Sequence, residues 1–175
     1  EHASKKEKLR QKSHYNVLQQ YARTGMFQDL LLIDNKILED SAGHGTIYNY
    51  YEKMNYLVYS IIHTLNYCKN IKAEFGELHE LKKISRISTI GYGLLEKKEE
   101  KLFFPLDNIT ETSYIININE EELINDVSIL PAVKVMAKEN KELERETSFA
   151  IWSTEETESY YYTRHYTHYI QKEDL

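Results

Sequence analysis

Apolar residues recur with helical spacing over two long stretches of the chain. Residues 5–23 carry apolar positions spaced for an amphipathic helix that ends near the stop signal Thr24-Gly25. Residues 47–70 contain neither Gly nor Pro, and this stretch predicts one long helix of about six turns. Its apolar side chains at helical spacing include Tyr51, Met54, Val58, Ile61, Ile62 and Leu65.

Short apolar runs predict the strands. The run DLLLID at residues 29–34 is typical of a strand that is buried on both faces in a parallel sheet, so it needs neighbouring strands. After it, a short helical turn is predicted beyond Asn35, and the glycines of SAGHGT at 41–46 predict a loop. The remaining predicted strands are residues 84–96, 113–119, 132–138 and 147–154.

Glycines and prolines mark the connections in this second half. Gly91 and Gly93 permit close backbone approach or a bulge within their strand, and Pro105 and Pro131 fall beside loops that bound strands. The segment EEELINDV at 120–127 predicts a short helix or a turn. The expected fold class is α+β, with a long central helix joined to a small lobe that has a four-stranded mixed sheet and short helices.

Composition narrows the classes of function. The net charge of -6, from 22 Lys and Arg against 28 Asp and Glu, argues against a nucleic-acid binder. The basic stretch at 4–12 alternates with acidic and polar groups, which favours a solvated helix face. A single cysteine, Cys68, excludes an intramolecular disulfide and a multi-cysteine zinc site. With no apolar run long enough to span a bilayer, we expect a soluble, cytoplasmic protein.

The tyrosine-rich segment ESYYYTRHYTHYI at 158–170 offers a broad aromatic surface, either as a helix or as a strand. It would pack on the lobe, or it would form a filament or adaptor contact, and we favour the first. His165 and His168 stand three apart, a spacing that can place two imidazoles on one helix face. No carboxylate accompanies them between 160 and 170, so we favour aromatic packing over a metal site.

The order of these elements resembles the C-terminal half of proteins of the tubulin/FtsZ superfamily. SHYNVL at 13–18 is similar to the helix before the last strand of the nucleotide domain, and LLLIDNKIL at 30–38 is similar to the strand that ends in Asp-Asn. The motif YEKMN within the long helix and the acidic loop KAEFGELHEL at 72–81 follow in the family order. The differences between this sequence and the family motifs indicate a divergent bacterial, plasmid or phage member of the TubZ-like type.

The resemblance implies contacts to a guanine base. Asn35 corresponds to the asparagine that touches the base, Tyr51 to the ring that stacks on it, and Asn55 to the amide that bonds its edge. Residues four apart share a helix face, so one ring and one amide can meet the same planar base. An amide supplies both a donor and an acceptor for this purpose.

The resemblance also implies a role for the acidic loop. In the family, two acids there complete the GTPase site of the next subunit, and Glu74 and Glu77 match those positions. They would position or polarise the attacking water, while the neighbouring subunit holds the phosphates and Mg²⁺. Lys72 replaces an asparagine that is common in FtsZ, and both acids are Glu rather than Asp, so Glu77 is the stronger candidate of the two.

The glycine-rich phosphate loop of the family does not occur in this sequence. By resemblance, residues 1–46 are a remnant of the nucleotide-binding domain, 47–70 the central helix, and 71–175 the C-terminal activating or assembly lobe. We therefore expect a fragment that alone neither binds GTP tightly nor hydrolyses it. We expect the strand at 29–33, lacking its domain, to be covered by a rearrangement, a swap or a second copy.

Two functions follow from the resemblance. The first is the C-terminal part of a polymerising GTPase, which uses GTP or GDP with Mg²⁺ and self-associates through its acidic loop into cytoskeletal filaments. Plasmid partition, phage positioning and cell division share this chemistry, and no membrane or direct nucleic-acid partner is expected. The alternative is a nucleotide-independent assembly or capping module, which the missing phosphate loop motivates.

Overall fold

The computed structural model describes residues 4–42, 49–80, 84–97 and 99–172. The helices are α1 (Lys5–Thr24), α2 (Asn35–Ala42), α3 (Tyr50–Asn70), α4 (Glu120–Asn125) and α5 (Ile129–Glu142). The strands are β1 (Leu30–Leu31), β2 (Phe75–Glu77), β3 (Ile87–Leu94), β4 (Glu100–Leu102), β5 (Glu111–Asn119), β6 (Glu146–Thr154) and β7 (Tyr160–Thr167). In these ranges the strands form one mixed sheet in the order β1-β3-β7-β5-β6-β2, with β4 also paired to β3. The expected α+β class is confirmed.

The two long helices follow their sequence signals. Ser4 caps α1 in a reciprocal capping box, because its hydroxyl accepts from the Glu7 N–H at 3.3 Å while the Glu7 carboxylate accepts from the Ser4 N–H at 2.7 Å. Gly25 ends α1 with a φ of 86°, a left-handed conformation that glycine adopts without strain. Residues 43–46 of the predicted loop and the predicted helix start at 47–48 lie outside the described residues.

Helices cover both faces of the sheet. On one face, side chains of β5, β6 and β7 pack against α5; the cluster comprises Tyr114, Ile116, Ile118, Ile129, Val133, Ile151 and Tyr161. On the other face, α3 places Met54 and Ile61 over Ile90, and Cys68 over Ile115 and Ala150. Burying each large aliphatic side chain contributes about 1.5–3 kcal/mol, so these two layers hold the long strands between helices.

The predicted strand at 132–138 is wrong, because these residues belong to α5. The inward side chains Ile129, Val133, Met136 and Asn140 are spaced four, three and four apart, which is a helical period. Pro131 lies in the first turn of α5 rather than beside a loop, where its missing N–H has no intrahelical partner to lose.

The tyrosine-rich segment supplies the remaining long strand. It forms β7, which lies between β3 and β5 at the centre of the sheet. Its alternating side chains point to the two helical layers, so Tyr161 joins the α5 cluster while Tyr162 packs toward α3. This segment therefore packs within the lobe, as we favoured. The predicted short helix after β5 is also present, as α4.

The apolar run at 29–33 does not need a swap or a second copy for its cover, which corrects our expectation. Leu30 and Leu31 of β1 pair in parallel with Ile87 and Ser88 of β3 within the same chain. Leu32 packs in a cluster with Ala22 of α1, so this helix covers the strand. One edge of β1 is thus paired and its side chains are packed.

Two further features bear on function class. No helix of the described part is long and apolar enough to span a membrane. Cys68 is 3% exposed, and burial raises the pKa of its thiol to about 11. The cysteine is therefore a packed side chain, held in the thiol form at neutral pH.

Candidate functional site

The acidic segment after α3 forms part of the sheet edge. Residues of β2 pair antiparallel with β6, and the Glu74 N–H donates to the Ile151 carbonyl oxygen at 2.8 Å. Gly76 has a φ of 77°, and a Cβ at this position would overlap the carbonyl oxygen of Phe149. Only glycine meets both demands without strain, so the segment depends on this residue for its shape. The predicted loop is thus anchored in part as a strand.

Glu74 and Glu77 both lie exposed along this edge. Neither carboxylate makes a hydrogen bond or an ion pair with any residue in the described ranges. Between them, Phe75 remains 47% exposed and stacks on Phe149 with ring centroids 6.2 Å apart. The edge therefore presents two free carboxylates beside an aromatic surface, all accessible to a second molecule.

The proposed base-contact residues lie near the start of α3. Tyr51 is 74% exposed, and Asn55 is exposed one turn later on the same helix. Asn35 is exposed at the first position of α2. The preceding Asp34 fixes that helix start, because its carboxylate accepts from the Lys36 N–H at 2.7 Å.

Packing brings α2 against α3. Leu38 of α2 and Met54 of α3 belong to one buried cluster, so α2 lies against the first turns of α3. The acidic segment follows the other end of α3, after Asn70. With a rise of 1.5 Å per residue, the stretch of α3 from Tyr51 and Asn55 to its end at Asn70 is about 25 Å long. The structure thus brings the predicted residues into two groups rather than one site.

A buried polar cluster on the α5 face of the sheet was missed by sequence reasoning. His165, 2% exposed, contacts the Glu100 carboxylate through Nε2 at 2.9 Å and the Thr112 hydroxyl through Nδ1 at 2.9 Å. Thr163 donates a further hydrogen bond to Glu100. Gly91 leaves the space for Glu100, because a Cβ there would overlap that carboxylate. The cluster connects β4, β5 and β7 across the sheet.

The carboxylate of this cluster is held in its charged form. Burial alone would raise the pKa of Glu100, but the hydrogen bond and charge of His165, together with the bond from Thr163, hold it below its ordinary value. Glu100 carries no sequence signal for this role, since it lies 65 residues from His165. Only the pairing of β3 with both β4 and β7 brings the two together.

The two histidines considered for metal binding have different surroundings. His165 belongs to the cluster with Glu100, whereas His168 lies beyond β7 and packs on Tyr169 with ring centroids 4.1 Å apart. The described residues include no group of three His, Cys, Asp or Glu side chains that could hold a metal ion.

Comparison with known proteins gives matches among solved structures. No family model matches the sequence, and no curated protein matches it. The chain is similar to TubZ of Bacillus thuringiensis serovar israelensis in GTPγS-form protofilaments, with 17% identity and a TM-score of 0.60. In GDP-form protofilaments of the same protein the identity is 16% and the TM-score 0.65. Each match covers 95% of this chain and 50% of that chain.

A structure of a type III plasmid segregation TubZ also matches, with 14% identity and a TM-score of 0.52. The match covers 93% of this chain and 51% of that one, so the chain spans about half the length of the TubZ structures it resembles. At this level of identity the likeness concerns the fold. The fold that the resemblance implied is thereby confirmed: the chain has a fold found in TubZ, over about half the length of that protein.

Proposed function

We propose that this chain is the C-terminal part of a polymerising GTPase of the tubulin/FtsZ type, and that its acidic edge completes the GTP site of the neighbouring subunit. The observation that carries the proposal is the separation along α3. Tyr51 and Asn55 lie in the first turns of α3, whereas Glu74 and Glu77 follow its other end, about 25 Å along the helix. Two groups so far apart can serve one nucleotide only when they belong to different subunits.

At the base end, the proposed ligand is the guanine of GTP or GDP. The Tyr51 ring is 74% exposed and offers a flat surface for stacking. Asn55 and Asn35 offer amides from two helices that pack together, and each amide can donate and accept. These residues hold only the base. The phosphates and Mg²⁺ are held by parts of the nucleotide domain outside this chain.

At the acidic end, the proposed role is to orient the attacking water. An ionised carboxylate accepts hydrogen bonds from water and can polarise it for attack on the γ-phosphate. Glu77 is exposed on β2, and its carboxylate makes no hydrogen bond or ion pair with another described residue. The carboxylate is therefore available to a neighbouring subunit. Gly76 sets the backbone between Glu74 and Glu77.

Head-to-tail association would bring the two ends together. A heterologous contact that repeats without closing generates a filament, and the acidic edge of one subunit then faces the nucleotide of the next. The protofilament forms of TubZ support this partner, a second copy of the same protein. Among the expected biological roles, plasmid partition has the support of the plasmid segregation TubZ.

GTP turnover against protein concentration tests this function in the complete protein. We expect a steep concentration dependence in the wild type, and a loss of turnover of about 10²–10⁴-fold in Glu77→Gln with nucleotide binding kept. Glu80→Gln makes the same carboxylate-to-carboxamide change at a nearby exposed position, so it is the matched control and should retain turnover. Unchanged turnover in Glu77→Gln would show that Glu77 is only a surface acid.

The alternative is a nucleotide-independent module, in which a lobe of this fold serves as an assembly or capping surface. The isolated chain separates the two functions. Under the first proposal it neither hydrolyses GTP nor binds it tightly, and it does not assemble by itself. Sedimentation of the chain alone into polymers, equally with and without GTP, would support the module instead.

A further inference from the structure

A groove of about 470 Å³ lies between the second half of α3 and the sheet. Its floor is a row of three side chains across neighbouring strands, because Asn117 of β5 pairs with Trp152 of β6 and with Tyr160 of β7. His63 and Tyr67 of α3 line the opposite wall. None of the residues proposed to serve the nucleotide lines this groove.

The floor contains an unsatisfied polar group. Asn117 is 6% exposed, and its Nδ2 is buried without a hydrogen-bond partner in the described chain. Buried amide donors in folded proteins nearly always have an acceptor, because leaving one unpaired destabilises the fold. The neighbouring Trp152 is satisfied, since its Nε1 donates to the Ile71 carbonyl oxygen at 3.1 Å. Asn117 therefore offers a free donor to a molecule that enters the groove.

The rim of the groove is acidic. Glu120 and Glu155 line it, and its lining includes no Lys or Arg. A second hollow shares Tyr160 and adds Glu156 and Glu158. Carboxylates attract a cation, and the faces of aromatic rings favour cations as well. The groove thus combines negative charge, aromatic walls and one buried donor.

We propose that this groove binds an extended peptide segment that carries Lys or Arg. A backbone carbonyl of the segment accepts from Asn117 Nδ2, and its cationic side chain lies between the rim carboxylates and the rings of Tyr67 and Tyr160. A polyamine would satisfy the carboxylates but offers no acceptor to the amide. A peptide offers both, and the volume lies in the range of sites that hold small ligands.

The single tryptophan of the chain reports on the groove directly, because Trp152 forms part of its floor. The test titrates the purified chain with the peptide acetyl-Gly-Lys-Gly-Arg-Gly-amide and follows Trp152 fluorescence. The same peptide with norleucine and citrulline in place of Lys and Arg is the neutral comparison. We expect a saturable change with the charged peptide and binding at least about tenfold weaker with the neutral one.

Variants separate the donor from the charges. Asn117→Ala should weaken binding of the charged peptide at least about tenfold. The double variant Glu120→Gln/Glu155→Gln should weaken this binding by a similar factor, and because it leaves the buried Asn117 in place, the test does not depend on how Asn117→Ala affects folding. Glu39→Gln removes one carboxylate from the exposed face of α2, outside the lining of the groove, and should leave binding unchanged. The absence of a saturable signal, or equal binding of the neutral peptide, would overturn the proposal. So would spermidine binding as tightly as the peptide.

Discussion

The centre of the sheet and its edge at β2 differ in where their polar groups find partners. At the centre, His165 bonds to Glu100 and Thr112, so its polar atoms are satisfied within the chain. At the edge, the side chains of Glu74 and Glu77 are exposed, and their carboxylates contact no polar partner among the described residues. The polar groups of this cluster are thus paired within the chain, whereas under the proposed function the edge carboxylates find their partner in a second molecule. Substitutions at the two places should therefore affect different properties.

The largest expected effect is at the centre. Ile116 is fully buried against α5, and Ile116→Ala should lower the free energy of unfolding by about 2–5 kcal/mol, because it removes apolar contacts and leaves a cavity. Chemical denaturation measures the loss. Ile124, 76% exposed on α4, is the matched control, and Ile124→Ala should change stability by no more than about 0.5 kcal/mol. Similar losses at both sites would contradict the described core.

A smaller and more local effect is expected at the edge. Gly76→Ala forces a left-handed residue and an overlap with the Phe149 carbonyl, and it should cost about 1–3 kcal/mol and release β2 from β6. Amide hydrogen exchange of residues 75–77 should become faster. Gly25 also has a positive φ, but a Cβ there would meet only the end of the Arg86 side chain at 3.7 Å. Gly25→Ala should therefore cost less and leave β2 protected.

The Glu100 cluster should make the free energy of unfolding depend on pH in the acidic range. The pKa of Glu100 is lower in the folded chain than its ordinary value of 4.5, so folding favours the ionised form. The contribution of Glu100 to the free energy of unfolding is present above pH 4.5, and it is lost as the pH falls through the pKa that Glu100 has in the folded chain. Between pH 7 and pH 3, Glu100→Gln should lose less stability than the wild type in denaturation measurements. An identical pH profile in both proteins would show that Glu100 does not contribute in this way.

The smallest change in stability is expected for Glu77→Gln. The side chain is exposed and makes no polar contact in the described chain, so the free energy of unfolding should change by no more than about 0.5 kcal/mol. Thermal denaturation of the isolated chain measures it. A loss well above this range would indicate an internal role for Glu77 and would remove the contrast between edge and centre.

Local signals explain which elements could be predicted. α1 follows from helical spacing and the stop signal Thr24-Gly25, and α3 from helical spacing in a stretch without Gly or Pro. These signals act over a few positions. In the window 132–138 the apolar residues also fit a strand, and only the wider spacing from Ile129 to Asn140 identifies α5. The tyrosine-rich segment fits either a helix or a strand by its sequence alone, because its place between β3 and β5 depends on distant partners.

Some residues of the candidate site could be predicted from the sequence and others could not, again according to whether the signal is local. Glu74, Glu77 and the base-contact residues were proposed from their order in a family pattern, which a sequence can carry. The contact of His165 with Glu100, and the unpaired amide of Asn117, arise only when distant strands meet. No local pattern in SYIININ distinguishes Asn117 from any other polar residue on a strand.

The most direct test mixes two variants of the complete protein, each of which we expect to lose GTP turnover by itself. Glu77→Gln keeps the proposed base contacts but lacks the acid, whereas the double variant Tyr51→Ala/Asn55→Ala keeps the acid but lacks those base contacts. Co-sedimentation first establishes that the two variants assemble together. If the acid serves the nucleotide of a neighbour, GTP turnover returns on mixing. If mixed filaments form and turnover stays absent, Glu77 does not act on a neighbouring subunit's GTP.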